Sequence, residues 1–462
     1  MAVRTEPGRL ERAFGIVGML LTTGAILDMA RAKAGETSGG DLDPSGDPIK
    51  QAIFLAIYAL ALVLFIRRSG VVSVLRFSPL VWTVVGVAVC STMWSVDPGL
   101  TLRRAMALCG TTGFGTYLGV TYRPARLLQM IAAMLGLAAA LSLVAGVLLP
   151  QIAITSDGHS PSWNGIYQQK NMLGEYMALA AFVFALRYRE SVRKRVASRG
   201  WLVAISAALG LLLLSTSKSS LISAFVSFSC FPLVRLLSAA RRRSPSLLVG
   251  SSSVLLAAAG TGALVAWKYF TPITLALGRD PTLTGRTYVW HAVVDAITVH
   301  PWLGYGYSAF WGGIDSPAAG VWAQTSSLML GLHVTHAHNG WLDLLLQIGV
   351  VGVAVYLVMM FKLVKWTLRK AMRPHTSGGE MFAVGYCLSL LVSNMVESKT
   401  LDQNSFAWVM VCALVAQRGV ELASLKRRER GRTRENVVRP DPRIFPIRTT
   451  PFAAHQVLDD LA

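Results

Sequence analysis

The stretch HNGWLDLLLQIGVVGVAVYLVMMFK, His338 to Lys362, decides how the rest of the chain is read. Between Asn339 and Phe361 only Asp343 is charged. A helix of about 23 such residues is about 34 Å long, enough to cross the roughly 30 Å hydrocarbon core of a bilayer. Comparable apolar runs recur near 14–30, 50–66, 79–94, 104–121, 127–149, 172–187, 201–215, 219–236, 246–267, 380–396 and 405–417. The chain has 462 residues, is 53% hydrophobic and only 15% charged, and its mean hydropathy is +0.49. That balance excludes a soluble domain and predicts an all-α polytopic membrane protein with about twelve transmembrane helices. The expected organisation is an N-terminal segment 1–13, spans one to nine within 14–267, a large outer loop 268–338, spans ten to twelve within 339–417 and a basic tail 418–462.

A formal charge of +20 would suggest nucleic acid in a soluble protein. Here, with the N-terminus cytoplasmic, 33 of the 44 Lys and Arg fall on the inner side. The positive-inside bias accounts for the charge, places both termini in the cytoplasm and leaves nucleic-acid binding without support. The Arg-rich tail has little apolar periodicity and reads as a disordered segment that touches anionic lipid headgroups. A cleaved leader is the alternative reading of the first run, since Met29-Ala30-Arg31-Ala32 follow it; the long leader of mixed charge before it favours a span. The five cysteines (Cys90, Cys109, Cys230, Cys387, Cys412) all lie in expected spans without paired spacing, so no disulfide or thiolate metal site is expected. The short loops suit a bacterial inner membrane.

Nearly all the non-repetitive polar chemistry then faces outward. The outer loop is too long to be a connector and should fold on the outer face. In it Val289, Val293 and Ile297 recur at spacing four, which predicts a helix starting after Thr284-Gly285-Arg286 and stopped by Pro301, Gly304 and Gly306. A helix N-terminus beside an Arg is a ready anion site, so Arg286 is the first phosphate candidate; capping a local turn or pairing with Asp280 are its structural alternatives. Further on, Asn339 is a plausible N-cap of the tenth span, with Asp343 in its first turn. The positive helix end favours the neutral imidazole that a general base at His338 requires. His333-x-x-His336-x-His338 has metal-like spacing, but no carboxylate or thiolate is interleaved, and no metal or other cofactor is expected. Lys218, alone in Ser215-Thr-Ser-Lys-Ser-Ser220, either snorkels to headgroups or meets an anionic ligand. Arg103 and Arg104 oppose the positive-inside bias, as cations would that meet something negative. Eight of the twelve tryptophans are on the outer side; an interfacial belt explains Trp94, Trp267 and Trp341, whereas Trp290, Trp302, Trp311 and Trp322 lie within the loop as sugar platforms or as its core.

Four patterns together resemble the O-antigen ligase and polymerase superfamily of membrane glycosyltransferases with the C-type fold: WSVDP (94–98), GIYQQKNMLG (165–174), TLTGRTYVW (282–290) continuing to HPWLGYGY (300–307), and HAHNGWLD (336–343) with GVVG (349–352). The similarity covers most of residues 80–415. Within the superfamily, GRDPTLTGR (278–286) followed by AFWG (309–312) is most similar to exopolysaccharide polymerases of the Wzy type. The resemblance implies an undecaprenyl-diphosphate-linked glycan donor and a glycan acceptor, joined at the periplasmic face without metal or nucleotide donor, with chain-length or export proteins as further candidate partners. Residue by residue, the essential histidine falls on His338, supported by His336, and the loop arginine on Arg286. The second family cation, an Arg, falls on Lys218, which offers a point charge where the family has a bidentate fork. Cations suffice for an already anionic leaving group, while the incoming hydroxyl must lose a proton to a base.

Three rivals accompany this reading: a ligase that moves finished glycan onto lipid A core, a metal-dependent transferase using Asp41 and Asp43, and a glycan or solute transporter. Transporters bury ion pairs near the midplane, whereas Glu175, Asp343, Arg103 and Glu397 gather toward one face.

Overall fold

The structure is a computed structural model describing residues 7–27, 47–69, 76–156, 161–254, 261, 285–325 and 334–438. Asp41, Asp43, Trp267, Asp280, His333, most of the ninth expected span and everything after Val438 lie outside the described residues.

The described chain is helical nearly throughout. In order come α1 (Arg9–Leu21), α2 (Pro48–Ser69), α3 (Pro79–Cys90), α4 (Pro98–Thr121), α5 (Pro124–Leu148) and α6 (Lys170–Arg193). They are followed by α7 (Arg199–Leu214), α8 (Lys218–Arg243), α9 (Arg286–Val299), α10 (Ala318–Thr325), α11 (Gly340–Ala371), α12 (Gly378–Ser393) and α13 (Phe406–Val438). A two-stranded antiparallel ribbon, Ile154–Ser156 with Pro161–Trp163, is the one sheet among the described residues. Four helices begin on Pro48, Pro79, Pro98 and Pro124, where a missing N–H costs nothing because first-turn donors have no intrahelical partner. Asp97 caps α4 by accepting from the Leu100 N–H at 2.9 Å.

Among the described residues, five helices are long and apolar enough to cross a membrane: Pro48–Arg68, α5, α8, α11 and Phe406–Arg430. Pro79–Met93, α7 and α12 are apolar but shorter. The chain is a multi-pass membrane protein. Its centre is α4, packed against α13, α2 and α3, while α6 lies against α7, α8 and α5. Gly115 and Gly119 let α4 and α13 meet closely: a Cβ on either would come within 2.5 or 2.1 Å of the Val409 or Ala413 carbonyl oxygen. Small residues four apart are what brings helices together where lipid supplies no hydrophobic drive. The indole N–H of Trp408 donates to the Thr112 hydroxyl across the same seam at 2.9 Å.

Two expected boundaries move. The first span, expected over 14–30, breaks after Leu21 because the Thr22 and Thr23 hydroxyls donate back to the Met19 and Leu20 carbonyls, and Gly24 and Ile26 take positive φ. The turn becomes a docking point: the Ile26 N–H donates to the Ile166 carbonyl, and the Phe406 N–H to that of Thr22. At the other end, the tail expected to be disordered from Arg418 is helical to Val438. Its Glu421 accepts from the Trp366 indole and the Lys370 ammonium on α11, each at 3.0 Å, which ties the extension to the bundle.

The GVVG pattern explains itself in α11. Gly349 has φ +60° and ψ −172°, a conformation that breaks the helix. The freed backbone groups are taken up by the HPWLGYGY segment: Val350 and Val351 donate to the Pro301 and Trp302 carbonyls, while Tyr305 and Gly306 donate to those of Leu346 and Gln347. Irregular backbone at membrane depth persists only when protein satisfies it in this way. A Cβ at Gly349 would sit 2.3 Å from the Trp302 carbonyl group. Gly349→Ala is therefore expected to destabilise by about 3 kcal/mol, from backbone strain plus the clash. Thermal unfolding of the purified variant in detergent checks this, and an unchanged transition would refute it.

The loop preceding α11 has its own small core, as expected of a folded unit. Val289, Val293, Tyr305, Phe310, Trp311 and Trp322 pack there with Ala337 and Leu346.

Candidate active site

α9 starts at Arg286, the last residue of the Thr-Gly-Arg signal and one residue earlier than expected, behind Gly285 at φ +86°. Asn339 caps α11 as predicted, its side-chain oxygen accepting from the Trp341 and Leu342 N–H groups at 3.0 and 3.4 Å. His338, the residue before the cap, has φ +49°, an uncommon backbone for a histidine that its neighbours impose. Ala337 beside it is pinned on both sides: its carbonyl accepts from the Trp290 indole at 2.8 Å, and its N–H donates to both Asp343 oxygens at 3.2 and 3.1 Å. Asp343 is buried and also takes the Trp311 indole N–H at 2.8 Å and the Ser398 hydroxyl. One carboxylate in the first turn of α11 thus fixes the loop segment that presents His336 and His338.

The rings of His336 and His338 lie 4.0 Å apart between centroids. The His338 Nδ1 is 3.6 Å from Glu397 Oε2. The other oxygen of the same carboxylate is 3.3 Å from a guanidinium nitrogen of Arg286, whose second arm donates to the Val396 carbonyl at 2.7 Å. Imidazole and guanidinium, far apart in sequence, therefore converge on Glu397. Burial works against charge on that glutamate, but His338, Lys399 and Arg286 together hold it down to about 2 from its usual 4.5. Burial, then His338 beside it, pushes His336 down to about 3 from 6.5, which keeps it a neutral ring.

The signs of these two shifts agree. Both groups take up protons less readily folded than unfolded, so their contribution to stability is complete above about pH 6.5. It is lost as pH falls, first through His336 between 6.5 and about 3, then through Glu397 between 4.5 and about 2. Thermal midpoints measured against pH should decline across that range, and His336→Gln should flatten its upper part; an unaltered upper part would contradict the His336 assignment.

Glu397 opens a polar loop that turns back into the bundle. Its neighbour Lys399 pairs with Glu175 on α6 at 2.8 Å. Burial opposes the charge on Lys399, but Glu175 and Glu397 hold its pKa above the ordinary lysine value. Below lies a cavity of about 280 Å³ between α1, α6 and α12, lined in part by Lys50, Glu175, Tyr386, Ser398, Lys399 and Asp402. Ser398 links this cavity to the histidines through Asp343.

The remaining candidates are placed less centrally. Arg104 donates to the carbonyl and hydroxyl of Ser308 at 2.7 and 3.0 Å, holding the HPWLGYGY loop to α4. Arg103 is exposed on α4, and Lys218 is exposed as the first residue of α8. Of the three tryptophans proposed for sugar, Trp311 is buried, its ring packed edge-on with Phe310 at 4.9 Å, and Trp290 is half-buried; both anchor the loop through their indole N–H groups. Trp302, 69% exposed, keeps an open ring.

Sequence reasoning did not give Glu397 or Lys399 a role. The signal was the polar run ESKTLDQN (397–404) at the outer end of an expected span, together with the gathering of Glu175, Asp343 and Glu397 toward one face. Glu397 also supplies the carboxylate that the histidine spacing lacked. One ligand atom from each of His336, His338 and Glu397 lies within 4.8 Å of the others, a set able to hold a metal ion. Against that use, the Arg286 guanidinium already occupies one side of the carboxylate.

Fold and site define a multi-pass membrane protein with an imidazole–carboxylate–guanidinium cluster braced at one end of its helix bundle. Residues 198–357 match the O-Antigen ligase family. The chain is 29% identical over 241 residues to the exopolysaccharide production protein ExoQ of Rhizobium meliloti, covering 51% of this chain and 54% of that protein. It is 28% identical over 169 residues to a putative polysaccharide ligase of Rickettsia typhi, covering 34% and 37%. A putative polysaccharide ligase of Rickettsia felis is 28% identical over 96 residues, 19% and 21% of the two chains. The chain thus spans about half or less of the length of these curated relatives. Over these stretches the chain is similar to proteins of the O-antigen ligase/polymerase superfamily.

Proposed function

We propose that the chain is a metal-independent glycosyltransferase that joins undecaprenyl-diphosphate-linked oligosaccharide repeat units into exopolysaccharide, at the periplasmic face of a bacterial inner membrane. The observation that carries this reading is the convergence of His338 and Arg286 on Glu397. Glu397 facing Nδ1 favours the tautomer with its proton there, leaving the Nε2 lone pair for the acceptor hydroxyl. As His338 takes that proton, the acceptor oxygen bonds to the anomeric carbon and the bond from that carbon to the diphosphate oxygen breaks. Undecaprenyl diphosphate leaves as an anion stabilised by Arg286 and Lys218, with Arg103 and the cavity's Lys399 as further cations. Attack opposite the leaving group inverts the anomeric centre. The exposed ring of Trp302 is a sugar platform at the rim.

A ligase transferring lipid-linked glycan to lipid A core is the second reading, favoured by the similarity to the Rickettsia polysaccharide ligases. Purified protein in proteoliposomes with lipid-linked repeat units separates them. A lengthening glycan ladder with release of undecaprenyl diphosphate, unaffected by EDTA, supports the polymerase. Product only when lipid A core is added supports the ligase, and loss of activity with EDTA overturns the metal-independent mechanism.

A further inference from the structure

At the end of the bundle away from His338, α13 and the start of α3 enclose a cavity of about 410 Å³. The two ends are separated by the helices themselves. α3 runs from Pro79 here to the Ser91–Trp94 turn, after which the Val96 N–H donates to the Tyr305 carbonyl in the HPWLGYGY loop. Arg418 lies about 18 Å along α13 from Phe406.

Five cations line this cavity: Arg76, Arg418, Lys426, Arg427 and Arg430. Among the described residues no carboxylate lines the cavity; on the same helix Glu421 is taken by Trp366, Lys370 and Arg373, and Glu429 lies outside the lining. Arg418 is buried at 8% exposure, so the charge is built into the wall. The opposite character runs beside it, in Phe77, Leu80, Val415 and Leu422. The walls are held in register, since a Cβ on Gly419 would come within 1.8 Å of the Phe77 carbonyl oxygen. Several like charges around one cavity repel unless an anion joins them, and guanidinium forks match phosphate oxygens.

We propose that this cavity is a binding site for the phosphodiester headgroup of an anionic phospholipid, with an acyl chain laid against its apolar wall. Cations beside a lipid surface attract anionic headgroups generally, so the site is distinguished by its geometry.

Native mass spectrometry of the full chain, purified in detergent with phosphatidylglycerol or phosphatidylcholine, tests it. Phosphatidylglycerol should be retained preferentially, and the exposed-residue variant Lys426→Gln/Arg427→Gln/Arg430→Gln should weaken its retention about fivefold for each charge removed. Arg241→Gln/Arg242→Gln/Arg243→Gln, at the end of α8, removes equal charge and should leave retention unchanged. Arg427→Gln alone serves if the triple variant does not fold. Equal loss in both triple variants would reduce the site to diffuse basic attraction and overturn it. So would equal retention of phosphatidylcholine, and full displacement by inorganic phosphate would make the ligand a free anion instead of a lipid.

Discussion

Replacing His338 by alanine is expected to lower the proposed glycan joining by about 10²–10⁴-fold, the range a positioned general base contributes, with a much smaller change in KM. The imidazole is not what holds the fold. Its Nδ1 faces Glu397 at 3.6 Å, longer than a hydrogen bond, and Glu397 keeps Arg286 when the ring is gone. The brace of Asp343, Trp290 and Trp311 acts on Ala337, so the loop keeps its course in the variant. Added imidazole should then restore part of the rate, which a structural defect would not allow. Proteoliposome assays with lipid-linked repeats measure both effects, and a rate within threefold of the native chain, as flagged by about 0.7 kcal/mol of barrier, would remove His338 from the chemistry.

Arg286→Lys should cost about 10²–10³-fold in kcat, a loss typical of removing one preorganised donor from a developing anion. The guanidinium spends one arm on the Val396 carbonyl and another on Glu397, which fixes its plane at the first turn of α9. An ammonium carries the charge but cannot make both anchoring bonds and still present a fixed donor to the diphosphate. If the cation acts on the departing diphosphate, the loss falls on kcat; a change confined to KM would assign Arg286 to ground-state binding instead. Both readings are separable in the same assay by varying donor concentration.

The parts of the site visible in the sequence are those written in local rules. Asn339 and Asp343 followed from the start of an apolar helix, and α9 followed from the spacing of Val289, Val293 and Ile297. Glu397 was legible only as an outward-facing charge, because its partners Arg286 and His338 lie 111 and 59 positions away and no periodicity links them. The break at Gly349 was hidden for a related reason: a run of Val and Gly reads as continuous helix until the Pro301–Gly306 backbone is available to satisfy its carbonyls and N–H groups. The tryptophans show the limit of composition. Trp311 and Trp302 sit in one loop with the same side chain, yet one is buried on Asp343 and the other is open. The helical tail to Val438 was missed because its Glu and Arg content was read as charge alone, although such residues also favour helix and Glu421 reaches α11.

The most direct test of the central claim is mass spectrometry of undecaprenyl-linked glycans from cells carrying His338→Ala in place of the native chain. Joining by His338 predicts that single lipid-linked repeat units accumulate and polymer disappears. Accumulation of long lipid-linked polymer would show a ligase, and an unchanged glycan profile would contradict a catalytic role for His338 and the glycosyltransferase mechanism built on it.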